Sequence, residues 1–220
     1  MSKSINRVNF ATKIQGMIKI AVVGAGQMGN GIAQVAAGAG FDVILLDIND
    51  AALEKGLVAL SKSLDRLIKK ESITSEQKVK TLARIKTTTH YADLASVSLV
   101  IEAATENQAI KEKILAQVDH VVSKETIIAS NTSSISITHL ASLNSRPERF
   151  IGIHFFNPPP LMALLEVIMG KETSPETLTA VLAMASAMGK EPITVQSSPG
   201  FVVNRILLPM INEAFFVLHE

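Results

Sequence analysis

The chain has 220 residues, 47% of them hydrophobic, and its 21 Lys+Arg nearly balance its 20 Asp+Glu. This length can bury a large core in one domain, or in one domain and part of another, and a net charge of +1 with 4% aromatic residues argues against a nucleic-acid-binding protein. The absence of Cys excludes disulfides, thiolate zinc sites and cysteine nucleophiles, and no segment approaches the roughly 20 apolar residues that span a membrane.

Residues 1–16, MSKSINRVNFATKIQG, precede the first apolar run. They are basic, rich in Ser, Thr and Asn, and free of acidic residues, a composition that weakly resembles an organellar transit peptide. The plainer interpretation, which we favour, is an N-terminal extension ahead of a folded region that begins at residue 17.

In the first half of the chain, short apolar runs alternate with helical periodicity, which is typical of βαβ units and a parallel sheet. Strands are predicted over residues 18–24, 42–47 and 85–89, and helices over 28–40, 50–70 and 74–85. The helix over 50–70 has leucines at intervals of three and four, and Thr74 is the predicted N-cap of the next helix.

The second half continues the alternation. Strands are predicted over 98–103, 126–130, 149–155, 164–169 and 192–195, and helices over 107–122, 137–142 and 175–188. The final stretch, 202–220, is helical and strongly apolar, and Pro209 should kink it. Because so apolar a helix needs a partner, we expect it either to pack on another chain or to begin a helical second domain that this sequence lacks.

The segment GAGQMG, residues 24–29, follows a predicted strand and opens a predicted helix, as a dinucleotide-binding G-x-G-x-x-G turn does. Gly24 permits the tight turn, Gly26 lets a pyrophosphate approach, and Gly29 lets helix and strand pack closely. Asp47, at the end of the second strand, is placed to accept hydrogen bonds from the adenosine ribose and to repel a 2′-phosphate. These features predict NAD binding on a doubly wound, Rossmann-type α/β sheet with a helical hairpin inserted over 50–85.

Polar residues follow two further strands at the same edge of the sheet. Glu102 ends one of them, and Glu106 and Lys111 come next. From spacing alone, helix capping is the better interpretation of Glu102, and spacing gives no ligand role to Glu106 or Lys111. The run SNTSS, residues 130–134, fits ligand binding and helix capping equally well.

The segment IGIHFFNPPPLMALLEV places His154 at the end of one apolar strand and Glu166 inside the next. The three prolines cannot continue a strand, so the chain must turn rigidly between them. A buried carboxylate needs a partner, and a histidine held by it becomes an oriented base. A packed core histidine beside an unrelated surface glutamate is the alternative, but the neighbouring dinucleotide turn favours a pair that removes a proton from an alcohol.

Five motifs, GAGQMGNGIA, IEAATEN, SNTSS, HFFNPPPLMALLEV and PGFVVNRIL, together resemble the short-chain L-3-hydroxyacyl-CoA dehydrogenases over about residues 18–220. The resemblance implies reversible, NAD-dependent oxidation of an (S)-3-hydroxyacyl-CoA in fatty-acid or butanoate metabolism. It also implies an NAD-binding domain over 17–198, and over 199–220 the first helix of a truncated helical domain that forms a homodimer. A bacterial cytoplasm is the expected compartment, with the mitochondrial matrix as the alternative, and no metal, membrane or nucleic acid is expected.

The resemblance further implies roles for individual residues. The implied catalytic residues are His154, Glu166, Ser133 and Asn204. The implied cofactor contacts are Gly24, Gly26, Gln27, Met28, Gly29, Asp47, Glu106, Lys111, Ser133 and Asn157. The implied substrate contacts are Ser63, Lys70, Ser133, Asn157 and Asn204.

Two other functions are compatible with these motifs. One is a related dehydrogenase of a sugar acid such as gulonate, as in the lambda-crystallin branch. The other is an NAD-binding structural or sensing protein without turnover.

Overall fold

A computed structural model describes residues 19–220, and the prediction for residues 1–16 lies outside them. The strands are β1 (Lys19–Val23), β2 (Asp42–Leu46), β3 (Ile85–Thr88), β4 (Leu99–Glu102), β5 (Ile127–Ser130), β6 (Phe150–Phe155), β7 (Leu164–Met169) and β8 (Glu191–Gln196). The helices are α1 (Gln27–Gly38), α2 (Asp50–Lys69), α3 (Ser75–Ala83), α4 (Gln108–Val121), α5 (Ile137–Ser142), α6 (Pro175–Ala187) and α7 (Val203–His219). Each lies within two residues of its predicted bounds.

The eight strands form one sheet in the order β3-β2-β1-β4-β5-β6-β7-β8. Strands β1 to β6 pair in parallel, β7 runs antiparallel to β6, and β8 is parallel to β7. The carboxyl ends of β1, β4, β5 and β6 therefore meet at one edge, where open α/β sheets bind ligands.

Helices cover both faces of the sheet. One face packs against α1, α2 and α6, with Ile32, Leu60 and Met184 among the buried residues. The other packs against α4 and α5, with Leu115 and Leu140 in its core. Because both faces are buried, the central strands are almost continuously apolar. This arrangement confirms the predicted doubly wound fold.

The prolines reverse the chain between β6 and β7, as the sequence predicts. The amides of Leu161 and Met162 both donate to the Pro158 carbonyl, at 3.0 and 3.1 Å. Lys190, which immediately precedes β8, donates to the Met162 carbonyl at 2.8 Å. The reversal brings β7 back in a register that places Glu166 directly opposite His154.

Helix α3 begins with the predicted Thr74 cap. The Thr74 hydroxyl accepts from the Gln77 amide, and the Gln77 side chain accepts from the Thr74 amide, which makes a complete capping box. We expect Thr74→Ala to destabilise the protein by about 1 kcal/mol, which lowers Tm by roughly 2–4 °C. Calorimetry measures the shift, and Thr179→Ala, an exposed threonine within α6, is the control that should leave Tm nearly unchanged.

Helix α7 is amphipathic in sequence but lies largely in solvent. The helix runs unbroken through Pro209. All of its residues belong to the described chain, and each of them is at least partly exposed. Phe215 is 67% exposed and Leu208 60%. In the described part of the chain, no helix combines the length and apolarity needed to cross a membrane.

Candidate active site

The glycine turn between β1 and α1 is built by close packing. Gly24 has φ +105°, and a Cβ there would lie 2.7 Å from the Ala103 carbonyl oxygen. A Cβ on Gly29 would lie only 1.7 Å from the Gly24 carbonyl oxygen. At Gly26, by contrast, a Cβ would meet no atom of the described chain within 4 Å. Gly26 is also the N-cap of α1 and provides no side-chain cap, so the first amides of α1 remain available to an anion.

Asp47 closes one side of this turn. Its Oδ2 accepts from the Ala25 amide at 2.6 Å, and its Oδ1 from the Ile48 amide at 2.7 Å. The carboxylate lines a cavity of about 560 Å³, here called the outer cavity, between the glycine turn, α2 and the proline turn. Free helix amides for a pyrophosphate and a carboxylate for ribose hydroxyls are the groups that the NAD dinucleotide requires, so these residues fit it.

We expect Asp47→Ala to raise the Kd for NADH about tenfold or more, because a hydrogen bond to a charged group is lost. The ratio of the Kd for NADPH to the Kd for NADH should fall as well, since the carboxylate no longer repels a 2′-phosphate. Fluorescence titration measures both affinities. Glu54→Ala, which removes an exposed acid on the neighbouring helix α2, is the matched control.

A second cavity, of about 430 Å³ and here called the His154 cavity, lies at the carboxyl ends of β4, β5 and β6. Its lining residues are Met28, Ala103, Ala104, Thr105, Glu106, Lys111, Asn131, Ser133, His154, Phe155, Phe156, Asn157 and Asn204. Seven of the residues implied by the family resemblance are therefore gathered around one space: Met28, Glu106, Lys111, Ser133, His154, Asn157 and Asn204.

His154 and Glu166 form the predicted pair. His154 Nδ1 lies 2.7 Å from Glu166 Oε2, and the glutamate is completely buried. Glu166 Oε1 accepts from the Val202 and Val203 amides, both at 2.9 Å, at the start of α7. The carboxylate thus has partners for both oxygens, and it also caps a helix whose own N-cap residue provides no side-chain cap.

The pairing favours one imidazole tautomer. An ionised carboxylate only accepts hydrogen bonds, so a neutral imidazole paired with it carries the ring proton on Nδ1 and a lone pair on Nε2. His154 is 8% exposed, and its ring lies against Phe156 and Phe201, with ring centroids 4.5 and 5.9 Å away. This arrangement suits an oriented proton acceptor in a largely dry setting.

Glu106 organises the SNTSS segment. Its Oε1 accepts from the Thr132 hydroxyl at 2.6 Å and from the Ser133 amide and hydroxyl at 2.8 and 3.1 Å. Burial alone raises the pKa of Glu106, but these hydrogen bonds and the nearby Lys111 ammonium outweigh it and hold the pKa below its usual value of 4.5. The ionised form therefore stabilises the fold above pH 4.5, and its contribution is lost as pH falls through the lowered pKa.

The remaining residues of this segment divide between the two roles that spacing left open. Ser133 lines the His154 cavity, and its carbonyl accepts from the Asn204 side chain at 3.2 Å. Thr132 accepts from the amides of Ser134 and Ile135 and so forms the turn, and Ser136, two residues past the segment, caps α5. One short segment thus both lines the cavity and shapes the chain.

The interpretation of Glu102 as a helix cap is wrong. The N-cap of α4 is Asn107, whose side chain accepts from the Ile110 amide. Glu102 is instead buried, and both of its oxygens accept from Lys111 Nζ, at 2.9 and 2.8 Å. A pairing across nine residues depends on the path of the loop, which spacing does not reveal.

Asn157 joins the two cavities, since it lines both of them. The Gln27 side chain donates to Asn157 Oδ1 at 3.2 Å and thereby ties the start of α1 to the proline turn. Gln27 lines the outer cavity and Met28 the His154 cavity. The glycine turn and the His–Glu pair are therefore parts of one continuous site.

Of the two substrate contacts that the resemblance implies at α2, only one lines a cavity of the described chain. Ser63 lines the outer cavity, whereas Lys70 caps the end of α2 and lines neither cavity within the described chain. Lys55 and Arg66 also line the outer cavity, and sequence reasoning missed both. Their signal is a stripe of small and basic residues at helical spacing: Ala52, Lys55, Gly56, Ala59, Ser63 and Arg66.

Comparisons with known proteins identify the family of the chain. Residues 19–198 match the family described as 3-hydroxyacyl-CoA dehydrogenase, NAD binding domain. A 3-hydroxybutyryl-CoA dehydrogenase of Bradyrhizobium diazoefficiens is 50% identical over 92% of this chain and 69% of its own length. The crystal structure of (S)-3-hydroxybutyryl-CoA dehydrogenase from Ralstonia eutropha is similar with a TM-score of 0.91 and 59% identity, covering 92% of this chain and 72% of that one.

A longer relative shares the same region. The fatty acid oxidation complex subunit alpha of a Psychrobacter species is 45% identical over 91% of this chain, which corresponds to 28% of that protein. The family match spans most of the described residues, from the start of β1 to two residues past the end of β8. The chain therefore belongs to the NAD-dependent 3-hydroxyacyl-CoA dehydrogenase family of oxidoreductases.

Proposed function

We propose that this chain catalyses the reversible oxidation of an (S)-3-hydroxyacyl-CoA to the 3-ketoacyl-CoA, with His154 as the base and Glu166 as its partner. The observation that carries the proposal is the 2.7 Å contact between His154 Nδ1 and a fully buried Glu166. His154 lines a cavity that adjoins the cavity beside the glycine turn through Asn157.

The chemistry that NAD supplies when bound is acceptance of hydride from the carbon that bears the hydroxyl. His154 Nε2 takes the hydroxyl proton, and the Glu166 carboxylate stabilises the imidazolium that forms. Ser133 and Asn204 offer a hydroxyl and an amide to the reacting oxygen, while Phe156 and Phe201 exclude water from the ring. In the reverse direction the imidazolium returns the proton to the ketone oxygen.

The α2 wall of the outer cavity suits the polar part of coenzyme A, while its Asp47 side is expected to hold the adenosine ribose of NAD. Lys55, Ser63 and Arg66 line it, and lysine and arginine bind phosphate groups through charge and hydrogen bonds. Asn157, at the junction of the cavities, is placed to meet the thioester end of the substrate. The relatives named 3-hydroxybutyryl-CoA dehydrogenase favour a short acyl chain and a role in fatty-acid or butanoate metabolism.

The direct test is oxidation of NADH by acetoacetyl-CoA, followed by absorbance at steady state. The proposal expects turnover with acetoacetyl-CoA and none with gulonate and NAD. Turnover of gulonate alone would assign the chain to a sugar-acid dehydrogenase. NADH binding without any turnover would indicate an NADH-binding protein without catalytic activity and would contradict the proposal.

Assembly and location belong to the same proposal. The exposed apolar residues of α7 include Leu208, Phe215 and Phe216, and a face of this kind favours association with further helices. We propose that residues from 199 onward belong to a helical dimerisation region and that the protein works as a homodimer in the cytoplasm of a bacterium. Analytical ultracentrifugation of the chain tests the dimer, and a monomer at all concentrations would contradict it.

A further inference from the structure

Glu102 and Lys111 form the most deeply buried ion pair of the described chain. Glu102 is 0% exposed and Lys111 1% exposed. The carboxylate also accepts from the Ser130 hydroxyl at 2.7 Å and from the Ala104 amide at 2.8 Å. A buried pair of this kind is costly to desolvate and adds little net stability compared with apolar residues of the same volume. The presence of this pair at the centre of the sheet edge therefore calls for a role other than stability.

The position of the pair indicates that role. Glu102 is the last residue of β4 and lies in register with Val23 of β1 on one side and Ser130 of β5 on the other. It is thus fixed by the sheet itself, directly below the two turns that carry the glycine motif and SNTSS. Lys111 reaches it from α4 and lines the His154 cavity.

The ammonium of Lys111 keeps one donor free for a ligand. Lysine has three N–H donors, and the two contacts to Nζ come from the two oxygens of the single Glu102 carboxylate, which engage at most two of them. Glu106 Oε2 lies 3.6 Å from Nζ, beyond ordinary hydrogen-bond distance. In the described chain the third donor is therefore available to a hydroxyl or carbonyl oxygen in the cavity.

We propose that Glu102 is a positioning residue, which holds the Lys111 ammonium at the floor of the His154 cavity so that its free N–H meets an oxygen of the bound cofactor. This inference depends on the proposed function, in which the cavity receives the nicotinamide end of NAD. Ser130 and the Ala104 amide fix Glu102 in turn, so the strand edge sets the position of the cation. Glu102 itself lines neither cavity, and in this proposal it acts through Lys111.

The test compares Glu102→Gln, Lys111→Met and the double variant by NADH titration and by Tm. Glu102→Gln leaves a buried ammonium without its counter-charge, and we expect a Tm lower by roughly 6–20 °C and an NADH affinity about tenfold weaker or more. The double variant replaces the pair by neutral groups of similar size. Its Tm should return close to that of the wild type, while its NADH affinity stays as weak as that of Lys111→Met. Glu112→Gln, the same change at a more accessible site on α4, should alter neither quantity.

The outcomes test two claims separately: that Lys111 binds the cofactor, and that Glu102 positions Lys111. If Lys111→Met binds NADH as the wild type does, the cofactor role of Lys111 is wrong. If Lys111→Met is weak but Glu102→Gln binds normally, Glu102 does not position it. If the double variant recovers both stability and affinity, the pair is structural only, and the inference is overturned.

Discussion

Replacing His154 by glutamine is expected to lower kcat by about 10²–10⁴-fold and to leave the Kd for NADH nearly unchanged. Glutamine has no lone pair basic enough to take the hydroxyl proton, so the contribution of general base catalysis is lost. The glycine turn and Asp47, which are expected to bind the dinucleotide, do not depend on the imidazole. Steady-state kinetics with acetoacetyl-CoA and fluorescence titration with NADH measure the two quantities separately.

His139→Gln provides the matched control. His139 is an exposed histidine on α5, whose Nε2 lies 2.9 Å from Glu112 and which lines neither cavity of the described chain. Its replacement should leave kcat within about twofold. A His154 variant whose kcat stays within about tenfold of the wild type would remove this residue from the mechanism.

Replacing Glu166 by glutamine is expected to lower kcat by about 10²–10⁴-fold with little change in Tm. The amide oxygen of glutamine can still accept from the Val202 and Val203 amides, which preserves the start of α7. Its NH₂ group, however, donates to His154 Nδ1, which forces the ring proton onto Nε2. The wrong tautomer then faces the substrate, and an equivalent change in a triad costs about 10⁴-fold in kcat.

Glu166→Ala distinguishes the role of Glu166 in orienting His154 from its role in supporting the start of α7. This variant leaves two amides and a histidine nitrogen without partners in a buried region, and each costs about 1–3 kcal/mol. Both kcat and Tm should fall, whereas in Glu166→Gln only kcat should fall. Equal Tm losses in the two variants would show that the glutamate acts by supporting α7 rather than by orienting His154.

The sheet and its helices were predictable because their signals are local. The apolar runs of β1 and β2, the glycine turn and the Thr74 capping box each depend on residues close in sequence, and the structure confirms them. The prolines also predicted a reversal, which places His154 opposite Glu166. Burial on both faces of the sheet explains why these runs are so clear.

The parts that sequence did not predict depend on contacts between distant segments. Glu102 was interpreted as a cap because its partner lies nine residues away, across a loop whose path is set by the neighbouring strands. The second function of Glu166, as a cap for α7, joins residues 36 and 37 positions apart. Lys55 and Arg66 lie on a helix face that becomes a cavity wall only when the proline turn approaches it.

The central claim is that Glu166 holds His154 with a free lone pair on Nε2. It is tested most directly by ¹⁵N NMR of the imidazole nitrogens at pH 8, with the His154 signals among the five histidines assigned by their loss in His154→Gln. We expect Nδ1 to carry the proton and Nε2 to show the chemical shift of an unprotonated nitrogen. A protonated Nε2 and an unprotonated Nδ1 would contradict it, because a ring in that state cannot accept the substrate proton.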